Sequence, residues 1–152
     1  LVSDFAKQLQ FYFSALFLPL SRDRFMPDSP SQNAHKTILL VEDDEVVRML
    51  TVEVLEELDY QVLQADNGID ALAIITSDQH LDLLMSDIGL PGMSGPQLMA
   101  AAHQLRPQLP VLFASGYAAQ DYQTSASSAK VATITKPFSL DLLRTTVADM
   151  LA

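Results

Sequence analysis

From Thr37 onward, five apolar runs of four to six residues alternate with longer stretches whose apolar side chains recur at helical spacing. The runs at 37–42, Gln61–Ala65, 81–86, 111–114 and Val131–Thr135 are too short for buried helices, which predicts strands. Over 45–58, Val46, Met49, Leu50, Val54 and Leu58 mark one face of a helix, and further helices are predicted over Gly68–Thr76, 96–105 and Leu140–Leu151. The segment 119–127 is a weaker helix, because its Gln, Thr and Ser run offers little apolar stripe; it is expected to be short or mobile.

Strands that read as continuous apolar runs are buried on both faces, as in a parallel sheet covered by helices. Right-handed crossovers leave few topologies for five such strands. The predicted fold is α/β, a flavodoxin-like (βα)5 doubly wound parallel sheet with strand order 2-1-3-4-5. In sheets of this kind ligands bind at the carboxyl ends of the strands, beside the reversal in strand order.

Polar residues gather at that edge. The first run ends in Glu42-Asp43-Asp44, the third in Ser86-Asp87, the fourth in Ala114-Ser115-Gly116 and the fifth in Thr135-Lys136-Pro137. Asp44 alone reads most simply as the N-cap of the following helix. Carboxylates held together repel by about 3 kcal/mol per pair at roughly 5 Å and an effective dielectric near 20. Such a cluster suits a hard divalent cation with oxygen ligands, Mg2+ (or Mn2+). A lysine and a hydroxyl facing the cation can hold phosphoryl oxygens while one carboxylate attacks phosphorus, so the chemistry is that of an acyl-phosphate site.

The stretches ILLVEDDEVVRML (38–50), LLMSDIGLPGMSGPQL (83–98), PVLFASGYA (110–118) and ITKPFSLDLL (134–143) resemble the receiver domain of bacterial two-component response regulators. The resemblance covers about 36–152. It implies that Asp87 accepts a phosphoryl group from a histidine kinase or a histidine phosphotransfer protein. It further implies Asp43 as direct Mg2+ ligand, Glu42 as ligand through water, and the backbone carbonyl of Gly89 as another. Ser115 would hydrogen-bond the phosphoryl group, Lys136 would form its ion pair, and the bond to Pro137 would be cis. In this family an aromatic ring usually stands three residues before the lysine; here the position is Thr133. Tyr117, two residues past Ser115, could supply a ring instead, so Ser115, Tyr117 and Thr133 are the switch candidates. The implied output is a conformational change read by a downstream protein, with a homodimer compatible and no turnover beyond self-phosphorylation and autodephosphorylation.

Other readings of these residues fail on chemistry. The glycines at 89, 92 and 95 lack the Lys-Ser/Thr ending of a phosphate-binding loop and fit a turn into the third helix. A flavodoxin-type cofactor phosphate would meet Glu42-Asp43-Asp44 and be repelled. A phosphatase of the haloacid dehalogenase type needs a second Asp two residues past the nucleophile, where Gly89 stands. His103-Gln104-Leu105-Arg106-Pro107 superficially resembles a phosphorylated histidine box, but Pro107 and Pro110 stop the helix that would carry it. A protein-interaction module without phosphorylation is the remaining alternative, and an intact Asp87, Ser115 and Lys136 speak against it.

Charge divides the chain. Residues 37–152 carry five basic and sixteen acidic side chains, whereas 1–36 carry four and three. Five of the seven phenylalanines lie in that first part. The apolar run at 9–20 is too short for a membrane span of roughly 20 residues and contains Pro19. Residues 1–8 (LVSDFAKQ) and 15–21 (ALFLPLS) resemble the last helix and closing strand of a histidine-kinase ATP-binding domain. The expected organisation is a kinase-like remnant at 1–20, a Pro-containing polar linker at 21–36 and the receiver at 37–152; on this reading the parent chain is a hybrid histidine kinase. The acidic balance argues against direct nucleic-acid binding, and a cytoplasmic location is expected. Zero Cys excludes disulfides and thiolate metal sites.

Overall fold

The computed structural model describes residues 36–116 and 128–152. The expected kinase-like remnant, all of the linker but Lys36, Tyr117 and the weak helical segment at 119–127 lie outside the described residues. In chain order the elements are β1 Thr37–Val41, α1 Glu45–Glu57, β2 Gln61–Ala65, α2 Gly68–Thr76, β3 Leu83–Asp87, α3 Gly95–Leu105, β4 Val111–Ser115, β5 Val131–Thr135 and α4 Leu140–Leu151.

All five strands are parallel, in the order β2-β1-β3-β4-β5. The fold is therefore the doubly wound one expected. β1, β3 and β4 occupy the centre and are buried almost without interruption, which is why their sequences show no alternation. The edge strand β2 carries the polar Gln61 and Gln64 on its exposed positions.

Each face of the sheet has its own core. On one face α1 and α4 cover Ile38, Leu40, Leu83, Met85 and Leu112. On the other, α2 and α3 cover Leu39, Val41, Leu84, Val111 and Phe113. Burying a single Leu, Ile or Phe contributes about 1.5–3 kcal/mol, so these two layers supply the main cohesion.

Helix starts are set by side-chain caps. Asp44, Asn67, Ser94 and Ser139 each accept a backbone N–H from the third residue on, and Ser94 with Gln97 completes a reciprocal capping box. Several boundaries differ from expectation by a residue or two: β1 ends at Val41, α1 at Glu57, and α3 begins at Gly95. β3 begins at Leu83 rather than at 81, because Asp82 leaves the ladder geometry to exchange two bonds with Thr37, through its backbone N–H and its carboxylate. β3 and β4 each run one residue further than expected, to Asp87 and Ser115. Those two added residues bring the sheet to the polar edge.

Candidate phosphoacceptor site

The strand order reverses between β1 and β3, so their carboxyl ends open a crevice on the sheet's upper edge. Glu42 follows β1 directly and is buried; Asp43 is exposed; Asp87 closes β3 and is half-buried. Carboxylate oxygens of all three lie within 4.8 Å of one another. Asp44 is drawn away from the cluster, because its Oδ1 caps α1 by accepting from Val47 N–H at 2.9 Å.

Lys136 reaches this cluster from the end of β5. Its Nζ donates to Glu42 Oε2 at 2.9 Å and to Asp87 Oδ2 at 3.2 Å, and only 12% of its side chain is exposed. Its backbone N–H donates to the Ser115 carbonyl at 2.6 Å, which ties the lysine loop to the end of β4. The Lys136–Pro137 peptide is cis. Three carboxylates against one ammonium leave two negative charges over, the complement of a dication. The donor set, oxygen only and partly exposed, fits Mg2+ or Mn2+.

The electrostatics agree with that imbalance. Burial pushes the Glu42 carboxyl above the ordinary glutamate range; Lys136 pulls it back and Asp87 adds to the rise. Burial opposes the Lys136 ammonium, but the Glu42 and Asp87 carboxylates together outweigh it and raise its pKa above the usual lysine value. The Glu42 side chain is held from both oxygens before any cation arrives, Oε2 accepting from Lys136 Nζ and Oε1 from the Asp44 N–H at 3.2 Å.

Of the residues singled out in the sequence, Glu42, Asp43, Asp87 and Lys136 meet directly. Gly89 lies beside them, its N–H donating to Asp87 Oδ1 at 3.2 Å. Ser115 is buried at the tip of β4, and Thr133 is half-buried in β5, in register with Phe113. Sequence reading gave three neighbours no role at the site. Arg48 donates from α1 to the Glu42 carbonyl at 2.8 Å. Ser86 Oγ donates to the Asp87 carbonyl at 2.8 Å, and Gly95 packs against that same carbonyl. Arg48, one turn into α1, was the only one whose spacing from Asp44 offered a signal.

A doubly wound sheet that gathers three carboxylates and a lysine at the carboxyl ends of its strands has the donor set of a divalent-cation site. The family model described as response regulator receiver domain matches residues 38–148, and the chain belongs to that family. Sensor kinase CckA of Brucella abortus is 38% identical over 76% of this chain, a match that spans only 12% of the kinase's own length. Response regulator receiver protein CpdR of the same organism is 34% identical over 76% of this chain and 97% of its own. Among solved structures, response regulator TrrA of Thermotoga maritima in complex with Mg2+-BeF is 30% identical, with a TM-score of 0.66, covering 76% of this chain and 99% of that one. Among the described residues no helix is long and apolar enough to cross a membrane.

Proposed function

We propose that Asp87 is the phosphoacceptor, taking a phosphoryl group from a phosphohistidine of a histidine kinase or histidine phosphotransfer protein. The observation that carries this is Lys136 Nζ bonded at once to Glu42 and Asp87, with three carboxylates gathered around it. One Asp87 carboxylate oxygen forms the bond to phosphorus as the phosphorus–nitrogen bond of the donor breaks, and the leaving imidazole takes up a proton. Asp43, Asp87, the Gly89 carbonyl and Glu42 through water would hold Mg2+ or Mn2+, which supplies charge neutralisation at the phosphoryl oxygens. Lys136 would follow Asp87 and pair with the new phosphoryl group, and the Ser115 hydroxyl would hydrogen-bond it. Ser115, Thr133 and Tyr117 are the residues through which the change would reach a downstream protein, in a cytoplasmic setting.

Receivers occur among the relatives both inside a large sensor kinase and as a nearly free-standing protein. The kinase match supports reading this chain as the receiver part of a hybrid histidine kinase. The test is incubation with acetyl phosphate and Mg2+ followed by intact mass. One phosphoryl mass should appear, be removed by hydroxylamine as an acyl phosphate, and be absent without divalent metal and from Asp87→Ala. An adduct that resists hydroxylamine or persists in Asp87→Ala would place the chemistry elsewhere.

A further inference from the structure

We propose that Ser86 is a positioning residue for the acceptor: its hydroxyl, together with Gly95, fixes the backbone carbonyl of Asp87 and so aims the Asp87 carboxylate. This rests on the reading of Asp87 as phosphoacceptor.

The need for such a device follows from where the ladder stops. The β1–β3 register ends at Val41↔Ser86, one residue short of Asp87, because the chain beyond β1 turns outward to present Glu42 and Asp43. β1 therefore offers Asp87 no paired residue, at the one position where the acceptor must be held still. The Ser86 hydroxyl supplies a donor in place of the missing strand, 2.8 Å from the Asp87 carbonyl, and Ser86 is wholly buried. A fully buried hydroxyl has no water to fall back on, so the bond is retained rather than exchanged.

Gly95 closes the carbonyl in from the other side. A Cβ there would stand 2.5 Å from the Asp87 carbonyl oxygen and 3.0 Å from Ile88 Cα. Both are backbone atoms, so an added methyl group can be accommodated only by moving the segment that carries the acceptor. Gly95 also donates its own N–H to the Ile88 carbonyl at 2.9 Å. With the Ile88 N–H, which donates to the Ala114 carbonyl at 3.3 Å on the β4 side, three bonds and one contact hold the peptides at 87 and 88, and the Gly89 N–H engages Asp87 Oδ1. The carboxylate inherits its direction from a backbone that β4 pairs on one side, at Asp87↔Ala114, and that β1 leaves open on the other. In-line attack tolerates little misplacement, and outer-shell partners of metal-site groups commonly contribute 10–100-fold.

The experiment compares wild type, Ser86→Ala and Gly95→Ala, using acetyl phosphate as donor. Three readouts are taken: acyl-phosphate formation rate at saturating Mg2+, the Mg2+ concentration giving half that rate, and the melting temperature. Ser86→Ala is expected to lower the saturating rate about tenfold and to raise the half-saturating Mg2+. Gly95→Ala, which displaces the same carbonyl while leaving the hydroxyl in place, should do likewise and keeps the test decisive if Ser86→Ala does not fold. A folded variant of either kind with wild-type rate and Mg2+ dependence overturns the positioning role, even if its melting temperature has dropped. In that case the adduct on the wild type leaves Asp87 as acceptor untouched. A wild-type protein that gains no hydroxylamine-labile mass overturns both.

Discussion

Lys136 is the residue on which the resting site depends, because among the described residues it is the cation that pairs with the carboxylates of both Glu42 and Asp87. Removing it leaves two poorly solvated carboxylates facing each other beside a third. Breaking a buried ion pair at one partner costs about 3–5 kcal/mol, and partial exposure here reduces that to about 2. Lys136→Ala should therefore melt several degrees below wild type in chelator, and Mg2+ should restore much of the difference by replacing the missing positive charge. Asp87→Asn acts in the opposite direction: Glu42 loses a repelling neighbour and keeps its ion pair. About 1 kcal/mol of gain, roughly 4 °C, is expected in chelator, shrinking with Mg2+. Thermal melts of both variants with and without Mg2+ check the pair; a destabilised Asp87→Asn in chelator would mean that the carboxylates do not strain the resting site. Glu42, Asp43, Asp87 and Lys136 were legible because a charged residue ending an apolar run has a small set of uses. Ser86 was not, since a buried serine beside an acceptor looks like any small strand residue until its hydroxyl's partner is seen. Gly95 reads from sequence as a turn glycine, and only the 2.5 Å approach to the Asp87 carbonyl gives it another role.

Among the elements, α1 carries a removable flaw. It ends in a Schellman turn, with Asp59 N–H donating to the Glu56 carbonyl at 2.9 Å and Tyr60 N–H to the Leu55 carbonyl at 3.2 Å. Asp59 holds the left-handed position at φ 68°, which suits glycine, and it adds a negative charge where the helix already presents carbonyl oxygens. Asp59→Gly should stabilise the protein by about 1 kcal/mol, read from denaturant unfolding; no gain would show that the aspartate side chain is separately stabilised. The next residue sets an alkaline limit. Tyr60 is buried against the α1 layer, and burial raises its phenol above the ordinary value of 10.0. The unfolded chain then releases that proton at lower pH than the folded one. Tyr60 hence contributes nothing below about pH 9, and its contribution turns destabilising as pH rises through 10 and beyond. Tyr60→Phe should match wild type in pH dependence near neutrality and lose less stability above pH 10; identical alkaline profiles would count against a buried phenol. Helix and strand identities were readable from periodicity, but the start of β3 was not. Leu81 is as buried as a strand residue and extends the apolar run, yet the bonds between Asp82 and Thr37 end the ladder at Leu83.

At the scale of the whole molecule, residues 37–152 carry sixteen acidic and five basic side chains, and three of the basic ones bind backbone oxygens. Arg48 binds the Glu42 carbonyl, Arg106 binds the carbonyls of Ile75 and Ser77 at the end of α2, and Lys130 binds those of Asp149 and Ala152 at the end of α4. Lys136 serves the site, and Arg144 forms an exposed pair with Asp141. Three of the five thus meet backbone oxygens, two of them at helix C-termini, where a cation is favoured on its own account. Among the described residues the surface is left with an acidic excess that few ion pairs offset. The composition alone shows the sign of this excess; that cations meet backbone oxygens depends on which carbonyls the fold leaves at helix ends. Screening should then favour the folded state, because there is more repulsion to remove than attraction to lose. Raising NaCl from about 0.02 to 0.5 M in chelator shortens the screening length from roughly 20 Å to about 4 Å. The melting temperature should rise by a few degrees, with most of the gain below about 0.2 M, where screening of surface charges changes fastest. Mg2+ at millimolar concentration should give a further rise in wild type that salt does not reproduce and that Asp87→Asn diminishes. A melting temperature that falls with NaCl would show that surface pairs such as Arg144–Asp141 outweigh the net charge.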